Sequence, residues 1–309
     1  MMNILDIITD PNTRWILLGT MFLGLSSGVI GSFAYLRKQS LLGDTLAHAA
    51  LPGICVAFML TGVKSTSYFL VGAALAGLVA VFLISVLTRY SKIKQDAALG
   101  IVLSSFFGFG IVMLTQIQQS EYGNQSGLDT FLFGQTASMV MSDVYMMMTV
   151  SFILIFTCSV FFKEFKLLSF DPGFAKGMGL PVVFLDYFIM MLIVAAVVIG
   201  IQAVGVVLMA SLLITPAVSA RYWTERLHIM VILSGIFGML SGVSGTLIST
   251  SVNDLPTGPL IVLSATVWFF FSMLFAPKRG VLSSIWRRVS TKKKYSLEQN
   301  RRKGSHYHE

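Results

Sequence analysis

An all-α, polytopic membrane bundle of about nine helices, with bounds of eight and ten, is the fold this sequence predicts. Three observations carry the prediction. Hydrophobic residues fill 55% of the 309 positions and charged residues only 12%, roughly half the charged share of a soluble domain. Uncharged runs long enough to cross about 30 Å of hydrocarbon recur along the chain. Lysines and arginines gather in alternate connections between those runs, as the asymmetry of membrane insertion requires.

Taken in order, the runs cover residues 15–36, 41–62, 65–88, 97–120, 144–162, 187–220, 229–253 and 255–277. The first has full spanning length and no basic segment before it, so it reads as a retained helix and not as a cleavable signal. The run 187–220 is too long for one span. Gly200 and Gly205 mark a tight turn inside it, giving two short helices and a total of nine. Between the fourth and fifth runs, an outer segment 116–129 carries Glu121, Asn124 and Asp129. The apolar piece 131–141 after it is too short to span and reads as an interfacial or re-entrant helix, tolerable at depth only under a cover of protein.

The chain divides into a transmembrane domain, 1–277, and a basic cytoplasmic tail, 278–309. If the connection holding Arg37 and Lys38 is cytoplasmic, every Lys and Arg except Arg14 and Lys64 falls inside. That orientation places the N-terminus outside and the C-terminus in the cytoplasm, with an odd number of spans.

One motif carries chemistry. The stretch GDTLAHAALPG, residues 43–53, sets Asp44 and His48 four residues apart inside an apolar run. On a helix the two side chains share a face. Counting 1.5 Å per residue from Lys38 puts Asp44 about 9 Å deep and His48 about 15 Å, near the bilayer middle. Ionisable groups there mark ion pathways, and a carboxylate with an imidazole suits a first-row divalent cation. Pro52 and Gly53 can bend the helix and free carbonyls to line a cavity. The competing reading is an Asp–His hydrogen bond that only locks two helices. Cys55 lies on nearly the same face, but like Cys158 it belongs to no metal pattern and reads as packing.

Between the fifth and sixth runs lies LLSFDPGFAKGMGLPV, 167–182. Pro172-Gly173 and the 177–181 region bracket a short helix, 174–178, whose small, apolar and basic mixture suits a groove on another protein. A plain connecting loop is the alternative. No HExxH is present, and GVKST at 62–66 lacks the glycine before the lysine that a phosphate loop needs. His306 and His308, in the polar tail, read as an ordinary chain end.

GDTLAHAALPG, with QDAALGIVLSSFFGFGIVM, LLITPAVSARY and SFDPGFAKGMGLP, resembles the manganese/zinc permeases of bacterial ABC importers over residues 15–276. The resemblance implies a fold similar to vitamin B12-type importer permeases, in the bacterial plasma membrane. It implies a second permease chain, two cytoplasmic ATPase subunits and an extracytoplasmic metal-binding lipoprotein, and no nucleic acid. Asp44 and His48 match the metal-coordinating pair. Asp171, Pro172, Gly173, Phe174, Ala175, Lys176, Gly177, Met178 and Gly179 match the loop that docks on the ATPase. The chain itself would then be no enzyme and hold no permanent cofactor, with Mn2+ or Zn2+ as cargo. Manganese is favoured over zinc, because no histidine-rich outer loop of the kind some zinc systems have appears, and iron is placed behind it. One Asp and one His are too few ligands for a divalent ion, so the site is expected to be shared across a dimer axis. Two other classes compete. An ion-coupled secondary metal carrier should show internal inverted repeats. A siderophore or vitamin permease of the same superfamily should have a wide, uncharged pathway.

Overall fold

A computed structural model describes residues 11–63, 65–119, 134, 139–251 and 255–283. The helices are α1 Pro11–Leu36, α2 Leu42–Thr61, α3 Thr66–Tyr90, α4 Gln95–Gln119, α5 Met141–Val160, α6 Phe162–Phe170, α7 Pro172–Gly177, α8 Val182–Val204, α9 Val206–Trp223, α10 Leu227–Ser251 and α11 Thr257–Phe275. Nine of them, all but α6 and α7, are long and apolar enough to cross a membrane among the described residues. The tail beyond Ser283, most of 131–141, and Glu121, Asn124, Asp129, His306 and His308 lie outside the described residues.

In lipid, apolar side chains gain little by leaving one apolar medium for another, so helices associate through close backbone approach. The seam between α1 and α10 shows how. Thr20, Gly24 and Gly28 recur at four-residue spacing on α1, facing Ser234, Gly238 and Gly242 on α10 in antiparallel order. A Cβ placed on Gly24 would stand 2.1 Å from the Gly238 carbonyl oxygen, and one on Gly238 would stand 2.0 Å from that of Gly24. Hydroxyls close the seam at both ends: the Ser234 hydroxyl donates to the Gly28 carbonyl at 2.6 Å, and the Thr20 and Thr246 hydroxyls meet at 3.0 Å. Around this pair, α9 packs on α1, α2, α10 and α11, while α3 and α4 pack on α2.

The long run divides as expected, but at Gly205 alone. Its backbone (φ 91°, ψ 163°) lies in a region open essentially to glycine. Gly200 stays inside α8, where the absent side chain makes room for Met209 of the returning helix. The first limb is therefore a full 23-residue helix and not a short one. Gly134 is fitted against this junction, close to the Ala203 carbonyl.

The α1–α2 corner is tightly made. Lys38 adopts the left-handed conformation (φ 58°), its N–H donates to Tyr35 and that of Gln39 donates back to Ala34. This paired bonding ends helices in the Schellman manner, normally with glycine at the left-handed position. α1 thus ends at Leu36, and α2 starts afresh at Leu42.

Candidate functional site

That corner sets where the expected pair sits along α2. Because α2 begins at Leu42, Asp44 lies about 3 Å along it and His48 about 9 Å, at 1.5 Å per residue. The expectation of 9 and 15 Å took one helix to run through Lys38, which the corner interrupts. His48 therefore stands about 5 Å short of the middle of α2, nearer that middle than the end that follows the Arg37 corner.

The two side chains do share a face. Asp44 Oδ1 and His48 Nε2 are 3.4 Å apart, with the side chains 35% and 16% exposed. That is long beside the roughly 2.9 Å of a good N–H···O bond. It matches the spacing of two ligands on one ion, since bonds of about 2.1 Å at a tetrahedral angle set donors about 3.4 Å apart. The His48 ring packs edge-on against Phe107 of α4 at 4.7 Å between centroids, which fixes its plane. Its Nδ1 is buried without a protein partner among the described residues. The locked-helix reading would have that nitrogen bonded to a neighbouring helix.

Among the described residues, no three of His, Cys, Asp and Glu cluster closely enough to hold an ion. Cys55 is fully buried, its thiol 3.9 Å from the Gly110 carbonyl, as a packing residue should be. Pro52 lies inside the continuous helix α2. With Val56, Leu75 and Phe109 it borders an apolar groove of about 630 Å3 that includes neither Asp44 nor His48.

The 171–179 segment forms a second exposed feature. Asp171 caps α7 by accepting the Phe174 N–H at 2.9 Å, and Pro172 occupies the first turn, where its missing N–H costs nothing. The helix is therefore Pro172–Gly177, starting two residues before the expected 174–178. Ala175 is the buried anchor, while Phe174 and Met178, one turn apart, are 57% and 63% exposed. Gly179 (φ 82°) turns the chain toward α8.

At the same end, Asp186 in the second turn of α8 receives the guanidinium of Arg37, and Arg89 approaches its other oxygen at 3.9 Å. Burial pulls Arg37 down to about 10, still charged at neutral pH. Sequence reading passed over Asp186; an acid at the head of a long apolar run was the available signal.

A family model described as "ABC 3 transport family" matches residues 9–276. The chain belongs to that family. Its relatives include the "Manganese transport system membrane protein MntC" of Bacillus subtilis, 57% identical over 292 residues, or 94% of this chain and 67% of that protein. The "Zinc transport system membrane protein TroC" of Treponema pallidum is 45% identical, covering 92% of this chain and 96% of the other. Among solved structures, "PsaBC from Streptococcus pneumoniae in complex with Fab" superposes with a TM-score of 0.78 at 34% identity, covering 89% of this chain and 96% of that one. Membership makes this ABC 3 chain a multi-pass membrane permease and not an enzyme, as expected from sequence. It also weighs against the ion-coupled carrier.

Proposed function

We propose that the chain is the membrane-spanning permease subunit of an ATP-driven importer for divalent metal ions, manganese before zinc or iron. The observation that carries the reading is the Asp44–His48 pair, with donor atoms 3.4 Å apart and one imidazole nitrogen unpartnered. The similarity to proteins named for manganese and zinc transport supports the choice of cargo. In this reading the end carrying Arg37 and Arg89 is cytoplasmic, α7 seats an ATPase subunit through Phe174 and Met178, and a metal-binding lipoprotein delivers the ion from outside. Residues 1–277 form the permease and 278–309 a cytoplasmic tail.

The second permease chain, most simply a second copy, packs on α4. Gly100 and Gly108 stand two turns apart with nothing within 4 Å of a built Cβ. Glycines inside other membrane-length helices, such as Gly24, Gly77 and Gly238, each have a neighbour there. Phe107, which holds the His48 ring, adjoins Gly108, so a partner on this face would lie beside the site. Two chains would then offer two carboxylates and two imidazoles, with water completing the shell. The test is uptake of radiolabelled manganese by the reconstituted importer carrying Asp44→Ala or His48→Ala. Each is expected to lose at least 90% of the rate while remaining inserted; wild-type uptake by either variant would overturn the ligand assignment.

A further inference from the structure

The carboxylate of Asp186 joins three parts of the bundle that no sequence motif connects. Arg37 closes α1 at the corner leading to α2, and its guanidinium reaches the Asp186 Oδ1. Arg89, in the last turn of α3, approaches Oδ2 at 3.9 Å and lies over the Tyr187 ring at 5.0 Å. Asp186 itself sits one turn into α8, which follows α7 after a link of four residues, 178–181. The link between α7 and α8 is short and bonded, Leu180 N–H to Ala175 and Val182 N–H to Leu180. A displacement of α7 therefore reaches Asp186 with little slack.

The far side of the joint is equally stiff. From Arg37 the chain passes through the Lys38–Gln39 turn into α2, and Asp44 follows seven residues after Arg37. Gln39 is 2% exposed. A cavity of about 390 Å3 separates this corner from the start of α7 and α8, bordered by Arg37, Gln39, Gln95, Ser169, Pro172 and Asp186. Arg37 Nη1 and Gln39 Oε1 are buried without partners among the described residues. The corner and the docking segment thus have space between them and one ionic contact across it. A largely buried guanidinium such as that of Arg37 is strongly disfavoured without its carboxylate, so the contact persists as either side moves. By contrast, Arg279–Glu225 at 3.4 Å is exposed on both sides and links no such parts.

We propose that Asp186, gripping Arg37 and Arg89, is the positioning residue that transmits movement of the ATPase-docking segment to the α1–α2 corner and so to Asp44 and His48. This rests on reading 171–179 as the ATPase contact. The role is mechanical: Asp186 touches no metal, and its removal leaves both the docking face and the ligand pair in place.

The experiment uses the complete importer in proteoliposomes and reads three quantities: ATPase co-purification, ATP hydrolysis, and metal taken up per ATP hydrolysed. Asp186→Asn keeps shape and removes charge. It is expected to retain the ATPase and at least half its hydrolysis while uptake per ATP falls fivefold or more; Asp186→Glu restores most of the loss. Arg279→Gln, at the exposed pair, leaves the ratio unchanged. Uptake per ATP within twofold of wild type in Asp186→Asn would overturn the proposal, as would loss of the ATPase together with uptake, which would make Asp186 part of the docking scaffold. Should Asp186→Asn fail to insert, Arg37→Lys keeps the charge but loses the guanidinium fork and carries the same test: a fall in the ratio supports the joint, an unchanged ratio refutes it. Failure of the docking reading shows separately, as normal ATPase capture by Phe174→Asp.

Discussion

Replacing Gly108 by leucine separates two roles that glycine plays in this chain. Within the α1–α10 seam, a Cβ on Gly238 would stand 2.0 Å from the Gly24 oxygen. Ordinary contact begins near 3.4 Å, so Gly238→Ala forces the two helices about 1.4 Å apart. Overpacking of that kind costs roughly 1–3 kcal/mol, and Gly238→Ala is expected to lower thermal stability of the single chain. On α4 the same reasoning gives the opposite result. Nothing lies within 4 Å of a Cβ on Gly108, and leucine improves helix propensity by up to about 1 kcal/mol. Gly108→Leu should leave the isolated chain as stable as before or slightly more so. If a second chain packs against this face at glycine distance, the leucine must push its helix back toward the ordinary 8–10 Å separation. A tenfold or greater weakening of the dimer, at least about 1.4 kcal/mol, and a matching fall in uptake are expected. Subunit counting by single-molecule photobleaching in liposomes measures the first and radiolabelled metal uptake the second. A Gly108→Leu variant that remains dimeric and transports within twofold of wild type would place this face against lipid and refute the argument.

Two further outcomes follow from the same geometry. Phe174→Asp or Gly177→Trp is expected to reduce ATPase co-purification at least tenfold without changing metal binding at Asp44 and His48, because each alters the exposed surface of α7, which packs mainly on α6 and α8; pull-down of the ATPase and equilibrium metal binding check the two halves. In a covalently linked dimer of one wild-type chain and one His48→Ala chain, uptake per complex should fall well below half, since a shared site lacks a ligand in every molecule; a rate of half or more means each chain has its own pathway.

Much of this molecule is legible along the chain because the information is local. Long apolar runs announce spans, and the lysines and arginines between them distinguish the two ends. Asp-Pro-Gly-Phe announces a capped helix, and the four-residue interval in GDTLAHAALPG dictates that Asp44 and His48 face the same way. What the sequence left open depends on which distant residues meet. Gly200 and Gly205 look alike in sequence. Only packing showed that the first accommodates Met209 while the second bends the backbone. The start of α2, and with it the position of the pair along that helix, was decided by Lys38 closing α1 in a left-handed turn, a conformation that a lysine does not advertise. Gly24, Gly108 and Gly238 are equally bare in sequence, yet two are pressed against another backbone and one is open. Asp186 was invisible for the same reason: its partners come from the α1–α2 corner and from α3, and ion pairs between distant segments leave no period in the chain.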